Sequence, residues 1–556
     1  MTGKNANLVT RVTMLLLVTV LVAFVVSCAA PTPTPVPTQP PAPTKAPEPT
    51  KAPEPTKAPE PTKAPAPTAV PTKAPEPTKP PEPTKPAAVA PKGTLTIAAA
   101  EVPEALDPTI SLQIYNWTIS YAMFDTLVKL DSSGKIAPSL ATSWELVNPK
   151  AWKFTLRKDV KFHDGTPFTS ASVKATLDHI LDPNVKSRQN AIWASYEKTE
   201  TPDDYTAIIY TKDPMGTMLS NLTLTLMIPA KPAKPLNELP IGTGPFKFVE
   251  WKKDDRITVE ANTAYWGGAP KLQRIVFRTI PELATRVSAL ERGEVDLVDL
   301  IPPEETARLQ KAGIKLVDQN TSYLRFIWLG NQGPLANLKV RQAINLAIDR
   351  KSIIKDLFGG KAYEVDGAVA PSVIGYCKMP ALQYDPVKAK QLMVEAGFPN
   401  GFDLELKTAE YLAKQKEMAE VNAAYLGAIG IRVKVTVQDQ ALWLQDLMAL
   451  NWQADQIGTS TLTGDADYTL RRLYHSSAKR IPWTTPEMDK LLIAQMGETD
   501  AAKRQQMFCD VSKMIWDNVP TVFLFGVVQT YGISPKVKDF QPLPSQFMFF
   551  KDVSVE

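Results

Sequence analysis

The sequence is poor in the two residue types that most often bind transition metals. Its 556 residues include three histidines and three cysteines: His163, His179, His475, Cys28, Cys377 and Cys509. The histidines are far apart, and none stands at a metal-ligand spacing from a cysteine or from another histidine. We therefore expect neither a metal site nor another cofactor, and we do not expect a metal receptor.

Motifs of common enzymes are missing as well. The chain has no G-x-S-x-G, no H-E-x-x-H and no phosphate-cradling glycine loop. The stretch VKFHDGTPFT places His163 beside Asp164 on a glycine turn, but no nucleophile motif is near it. We interpret this stretch as a structural turn and predict that the chain is not an enzyme. A cell-surface hydrolase with paired carboxylates is the alternative.

The chain also lacks an excess of charge. Its 62 basic and 58 acidic residues leave a formal net charge of +4, with no basic stripe that carries interleaved aromatics. Nucleic acid is therefore not expected as a partner. The length exceeds what one ordinary core holds, so two or more lobes are expected.

The N-terminal residues are typical of a secretory signal. Lys4 and Arg11 precede an apolar run over residues 12–26, which is shorter than the roughly twenty residues of a membrane span. The run ends in VVSC, and small residues before a cysteine resemble a bacterial lipobox. We predict a lipoprotein signal peptide over 1–27 and lipidation of Cys28. A signal anchor with an incidental cysteine is the alternative.

Proline is abundant and uneven: 23 of the 51 prolines lie in residues 31–91, in repeats of PTKAPE. Proline has no N–H and a fixed φ, and the segment has almost no large apolar side chains to bury. We predict a disordered or polyproline II tether over 28–91. A proline-rich ligand for aromatic grooves is the alternative, and a surface adhesion lipoprotein would suit such a tether too.

From Lys92 onward the composition is that of a globular α/β protein. GTLTIAAA (93–100) and AWKFTL (151–156) predict strands. Ile119, Met123, Leu127 and Leu130 keep helical spacing. Further helices are predicted from their N-caps or from a closing glycine: after Thr169 or Ser170, after Asp385, over 283–290 before Gly293, over 418–429 before Gly430, and from Asp500 to Trp516.

Several motifs in order resemble the family 5 extracellular solute-binding proteins of bacterial ABC importers, which take oligopeptides, dipeptides or nickel. These are the stretch around FHDG (136–177), IGTGPFKFVEWKKDDRITVEANTAYW (241–266), LERGEVDLVD (290–299), VRQAINLAIDRKSII (340–354), YDPVKAKQLMVEAGFPNGFDLEL (384–406), PEMDKLL (486–492) and VPTVFLF (519–525). The resemblance covers residues 93–549.

The resemblance implies a two-lobed α/β fold of the periplasmic-binding-protein type (class II, cluster C) with an extra small subdomain in lobe I. Carried over, lobe I is 92–300 with the inserted subdomain at 141–240, lobe II is 301–524, and residues 525–556 return to lobe I. It also implies a monomeric, extracytoplasmic receptor that closes on a peptide-like ligand and delivers it to the permease and ATPase of an importer. With the predicted anchor, the receptor would be held at the cell membrane.

The predicted ligand-binding residues include polar groups in QIGTSTLTGDADYTLRRLY (456–474). The resemblance matches Asp465 and Asp467 to a D-P-D-like motif, but Leu462 stands where peptide binders carry the carboxylate that meets the ligand ammonium. An insertion could bring Asp465 into that role. The neighbouring hydroxyls Thr459, Ser460 and Thr461 would suit an oligosaccharide or another polyol, which is the alternative ligand class. A loop whose hydroxyls bond their own backbone is the structural alternative.

A second predicted part of the site is QIYNW, with Gln113, Tyr115 and Trp117 as a polar and aromatic wall of the cleft. Tyr115 and Trp117 could equally be core residues. Cys377 and Cys509 both fall in lobe II. Outside the cytosol they could form a disulfide or remain two buried thiols, and the sequence does not decide between these.

Overall fold

A computed structural model describes residues 90–101, 103–111, 113–131, 134–409 and 414–556. All of them lie in one compact unit, Pro83–Glu556. The predicted signal peptide (1–27), Cys28 and the tether up to residue 89 lie outside the described residues. Within the described ranges, no helix is long and apolar enough to cross a membrane.

The helices are spread along the chain. They are α1 (Ile114–Met123), α2 (Ser170–Leu181), α3 (Met218–Leu222), α4 (Leu283–Glu291), α5 (Pro303–Lys311), α6 (Leu338–Ala347), α7 (Arg350–Ser352), α8 (Pro386–Glu395), α9 (Gln415–Gly427), α10 (Gln440–Met448), α11 (Ala466–Tyr474), α12 (Pro486–Gly497) and α13 (Ala501–Asn518).

The strands alternate with these helices. They are β1 (Thr94–Ala99), β2 (Val128–Leu130), β3 (Ile136–Pro138), β4 (Ala141–Asn148), β5 (Ala151–Leu156), β6 (Tyr196–Asp203), β7 (Thr206–Thr211), β8 (Phe246–Lys252), β9 (Arg256–Ala261), β10 (Arg274–Thr279), β11 (Leu297–Val298), β12 (Lys315–Leu329), β13 (Ala362–Tyr363), β14 (Asp403–Ala409), β15 (Arg432–Gln438), β16 (Ala454–Thr459), β17 (Thr521–Ile533), β18 (Val537–Lys538) and β19 (Ser554–Val555).

One large mixed sheet runs through the molecule in the order β15-β14-β16-β12-β17-β11-β1-β10-β9-β8, with β13 paired to β17. A separate antiparallel sheet has the order β4-β5-β7-β6. We call the part built on β1, β8–β11 and the four-stranded sheet lobe I, and the part built on β14–β16 lobe II. The predicted fold class, two-lobed α/β, is confirmed; the predicted residue boundaries of the lobes remain predictions.

The lobes are joined by the long antiparallel pair β12 and β17. Their register is regular from Lys315 to Asn320, and it shifts between Asn320 and Leu324 and a second time between Arg325 and Phe326. One end of β17 pairs with β11 of lobe I, and the far half of β12 pairs with β16 of lobe II. Extra residues in one strand bend a sheet locally, so these two register shifts place a bend where the chain passes between the lobes.

Each lobe has its own hydrophobic core. On β12, Leu324, Phe326 and Trp328 pack into one cluster of lobe II, whereas Ile327 and Leu329 pack into another on the opposite face. This alternation follows from the two-residue period of a strand. In lobe I, separate clusters lie around β1 and β10 and around the four-stranded sheet.

Candidate functional site

A cavity of about 740 Å³ opens mainly in lobe I. Its lining comes from residues within 121–131, 223–224 and 265–271, from the C-terminal segment 539–553, and from Leu462 of lobe II. Pockets of roughly 300–1,000 Å³ are the size that encloses small organic ligands. We take this cavity as the candidate site because its lining draws on both lobes.

The inner wall of the cavity is aromatic. Tyr121 contacts the rings of Phe547 and Phe549, at centroid distances of 5.4 and 5.0 Å. Trp117 stacks on Phe547 from behind, at 5.4 Å. Leu462 of lobe II packs against this aromatic group, so lobe II presents an apolar side chain to the cavity. A charged ligand group placed against this wall would lose water without gaining a partner.

The rim of the cavity carries charges of both signs. Lys271 pairs with Asp539 and Lys551 with Asp552, each at 2.8 Å; Lys551 is half-buried and the other three side chains are exposed. Lys129 and Asp131, which also line the cavity, add a further basic and acidic group. A lining that combines an apolar wall with both charge signs suits a zwitterionic solute with apolar parts.

Asp125 connects several residues at the base of the cavity. Its carboxylate accepts hydrogen bonds from Thr243, Tyr265 and Trp266, each at 2.9 Å. Burial raises the pKa of Asp125, although these donors oppose the rise. The residue therefore acts as an anchor for the walls around it and has little capacity left for a ligand.

The turn that contains Gly242 and Gly244 packs directly on the end of α1. A Cβ on either glycine would overlap backbone atoms of Met123, and the Gly244 N–H donates to the Met123 carbonyl at 2.9 Å. Close approach, and not a left-handed φ, is why glycine is needed at these two positions.

The histidine of the FHDG turn belongs to the same packing. The Gly242 N–H donates to Nδ1 of His163 at 3.3 Å, and Nε2 donates to the Gly244 carbonyl at 3.0 Å. Burial lowers the pKa of His163 to about 4, so the ring is neutral at pH 7 and can accept at one nitrogen and donate at the other. The ring thus connects two turns, as a structural residue does.

The structure places Asp465 and Asp467 at the start of α11, and neither lines the cavity. Asp465 accepts two hydrogen bonds from Arg504, at 2.6 and 2.9 Å, and one from Ser220 of lobe I at 2.8 Å. Asp467 pairs with Arg471 and accepts from Gln495. Both carboxylates are buried and occupied by protein donors. Their predicted role toward a ligand remains a prediction.

The predicted hydroxyls of the same segment also have protein partners. Thr459 accepts from Arg472, Ser460 contacts the hydroxyl of Ser322 at 3.0 Å, and Thr461 contacts the hydroxyl of Thr469 at 2.7 Å. Ser322 lies at the register shift of β12. Thr461 lines a small pocket of about 20 Å³ where lobes I and II meet, which has room for about one water molecule. These contacts are made to other side chains, and not to the backbone of the loop itself as in the structural alternative. Ligand binding by the three hydroxyls remains a prediction.

The predicted residues of QIYNW lie next to the cavity but do not line it. Tyr115 is buried and donates a hydrogen bond to Asp299. Burial, and next the negative charge of Asp299, raise the pKa of Tyr115. Trp117 forms the layer behind Phe547 and donates to the Ser111 carbonyl at 2.9 Å. The side-chain oxygen of Gln113 is buried and has no hydrogen-bond partner among the described residues.

Cys377 and Cys509 form a disulfide, which the sequence left undecided. It ties the loop between β13 and α8 to helix α13. The same loop contacts residues 464–466 of lobe II, since the Ile374 N–H donates to the Gly464 carbonyl and the Ala466 N–H to the Ile374 carbonyl. The disulfide therefore fixes the loop that carries Ile374, close to where the lobes meet.

Several cavity residues did not emerge from the sequence. Asp125 follows the end of α1, at a point where helical spacing predicted a helix through Leu130; the helix ends at Met123, and Val128–Leu130 form β2. Phe547 and Phe549 lie in a segment without regular structure. The run QFMFF was their only visible signal. No group of three or more histidine, cysteine, aspartate or glutamate side chains suited to a metal occurs among the described residues.

The sequence of this chain matches a known protein family. The model of the bacterial extracellular solute-binding proteins, family 5, middle region, matches residues 135–480. The glutathione-binding protein GsiB of Pectobacterium atrosepticum is 29% identical over 480 residues, which cover 83% of this chain and 93% of the relative. GsiB of Escherichia coli K12 is 28% identical over 472 residues, with 81% and 92% covered.

Two solved structures extend the comparison. The ABC transporter-associated periplasmic binding protein DppA of Helicobacter pylori, in complex with the peptide STSA, has a TM-score of 0.69 at 27% identity and covers 84% of this chain and 98% of its own. The PBP AgaA from A. tumefaciens R10, in complex with agropinic acid, has a TM-score of 0.67 at 29% identity, with 84% and 99% covered.

Proposed function

The chain belongs to the bacterial extracellular solute-binding proteins of family 5, and we propose that it captures a small peptide-like solute in the described cavity by closing its two lobes. A ligand that touches both lobes binds the closed form better and shifts the population toward it. No covalent step is needed. The single observation that carries the proposal is a cavity of about 740 Å³ lined from both lobes.

The chemistry of the lining favours a peptide-like ligand. Tyr121, Phe549 and Leu462 offer an apolar wall, and the rim offers carboxylates and ammonium groups. A short peptide has the complementary features: apolar parts and both charge signs. Glutathione, a charged tripeptide, is the first candidate because the GsiB relatives bind it by name. An oligosaccharide or another polyol is the alternative outcome of the same test.

The test is a ligand screen followed by one substitution. Glutathione, short peptides and oligosaccharides are compared by thermal shift, since a ligand of the folded state adds RT ln(1 + [L]/Kd) to stability. Phe549→Ala removes a ring that is 41% exposed and contacts Tyr121, so folding should survive. We expect the affinity for the stabilising ligand to fall about tenfold, the scale of one lost aromatic contact.

The control is Tyr384→Ala, which removes an aromatic side chain that is 47% exposed and packs against Tyr425 of lobe II. It should leave the affinity unchanged. Equal affinities of wild type and Phe549→Ala would contradict this location of the site. Stabilisation by oligosaccharides alone would contradict the peptide-like ligand but not the receptor role.

We also propose that the receptor is a monomeric, extracytoplasmic lipoprotein anchored through Cys28 and that it delivers its ligand to the permease and ATPase of an ABC importer. The support is the VVSC motif and the family membership. Radioactive fatty acid should label the wild-type protein and not Cys28→Ala. Equal labelling of the two would contradict the anchor.

A further inference from the structure

The two lobes make a direct polar contact outside the cavity. Helix α3 of lobe I lies against the start of α11 and the end of α12 in lobe II. The Ser220 hydroxyl donates to Asp465 at 2.8 Å, and the Gly216 N–H donates to the Met496 carbonyl. A Cβ on Gly216 would overlap the carbonyl oxygen of Glu498, so the approach of the two backbones depends on this glycine.

Hydrogen bonds within lobe II fix the position of the Asp465 carboxylate. Arg504 donates to both of its oxygens, and the Asp467 N–H donates to Oδ1 at 2.9 Å. Arg504 itself is fixed by two bonds to Gln495 and by stacking on Phe508. The ion pair is thus complete in lobe II, and Ser220 is the donor that lobe I adds.

The hydrogen bond from Ser220 is important because the Asp465–Arg504 ion pair is buried. Asp465 is 2% and Arg504 7% exposed. A carboxylate has about four acceptor positions, and here Arg504, Asp467 and Ser220 use all of them. A ligand ammonium would find no position left. When the lobes separate, the Ser220 bond to a charged group is lost and water must replace it.

We propose that Ser220 and Asp465 form a closing contact, so that Asp465 is a positioning residue for the closed form and not the partner of a ligand charge. This proposal rests on the proposed capture by lobe closure and names a device that regulates it. The contact stabilises the closed form even without a ligand. The apparent dissociation constant equals the intrinsic constant divided by the fraction of molecules that are competent to bind, so losing the contact weakens the binding of all ligands by one common factor.

The first test measures closure without a ligand. Spin labels are placed at Glu145→Cys in the four-stranded sheet of lobe I and Lys513→Cys on α13 of lobe II, in a chain that carries Cys28→Ala. Both side chains are more than 60% exposed. Pulsed dipolar spectroscopy should show that Ser220→Ala shifts weight toward longer distances. Ser220→Asp, which sets a second carboxylate against Asp465, should shift it further.

Ser170→Ala is the matched control, since the Ser170 hydroxyl bonds the Asp203 carbonyl within the same part of lobe I. It should leave the distances as in wild type. Urea unfolding confirms that each variant is folded. An unchanged distance distribution in both Ser220 variants would overturn the proposal, whether or not any tested solute binds. A failure of every solute to bind would instead count against the proposed function.

The second test separates closure from direct ligand contact. The affinities of Ser220→Ala for glutathione and for N-acetylated glutathione are compared with those of wild type by calorimetry. A closing contact predicts the same loss for both probes, about tenfold for one hydrogen bond to a charged group. A loss confined to the probe with a free ammonium would overturn the proposal in favour of a ligand contact at this place.

Discussion

At the scale of single residues, several charged side chains of this protein form bonds to other protein groups and are not free to bind a ligand. Asp125 collects three donors around the cavity floor, and Asp465 binds Arg504. Lys407 shows the same use in lobe II, where it bonds Asp446 and the Asn451 carbonyl, each at 2.7 Å. A carboxylate in a sequence motif is therefore weak evidence for ligand contact until its partners are known.

Asp446 leads to a prediction about acid stability. Hydrogen bonds from Lys407 first, then from Gln438 and Asn451, lower its pKa to about 2. Below its ordinary pKa of about 4, the unfolded chain takes up a proton that the folded protein does not. The contribution of Asp446 is therefore full above pH 4 and is lost as the pH falls toward 2.

The measurement is urea unfolding at pH 7, 5 and 3. Asp446→Asn should be less stable than wild type at pH 7 and 5, and the deficit should shrink at pH 3. Asp403→Asn, which breaks an exposed pair with Arg432, should cost less than about 1 kcal/mol throughout. A deficit of Asp446→Asn that stays constant from pH 7 to 3 would show that its carboxylate does not titrate as inferred.

At the scale of elements, helices with local start and stop signals were predictable. Asp385 caps α8 with Pro386 at its first position, and Asp500 caps α13. In both, the signal lies within a few residues of what it controls. The helix expected through Leu130 failed because β2 pairs with β3 and Asp125 bonds distant residues. Neither partner is visible in the local spacing.

The disulfide is the element-scale constraint with the largest expected effect. It joins residues that are 132 positions apart, and by the chain-entropy model such a loop stabilises by about 5 kcal/mol, with measured losses of about 2–5. The double substitution Cys377→Ser and Cys509→Ser should lower the free energy of unfolding by about 2–5 kcal/mol. It should also weaken ligand binding, because the loop that carries Ile374 loses its tie to α13.

The measurement is urea unfolding, together with the affinity for the stabilising ligand, each with and without a reductant. Reductant should lower both in wild type and change neither in the double variant, which serves as the control. Equal stability of reduced and oxidised wild type would mean that the disulfide does not constrain the loop.

At the scale of the whole molecule, the fold class and the family could be predicted from the sequence, whereas the residues that line the cavity could not. Ordered motifs over most of the chain carry the fold. The cavity instead joins the end of α1, Leu462 and the C-terminal segment 539–553, which are far apart in the sequence and partly without regular structure. No local periodicity indicates that these segments lie together, so the sequence pointed to residues near the family motifs and gave no signal for Tyr121, Phe547 and Phe549 as cavity residues.

Closure of the whole molecule can be separated from ligand contact by hydrogen exchange. Residues 496–498 contact residues 214–216 of the other lobe but do not line the cavity. If the ligand shifts the population toward the closed form, a saturating ligand should slow exchange in both segments as well as in 541–549. The antiparallel pair β6 and β7 lies within lobe I and should be unchanged. Protection confined to 541–549 would mean that the ligand binds without closing the lobes, because only a change in how the lobes meet can reach residues 496–498.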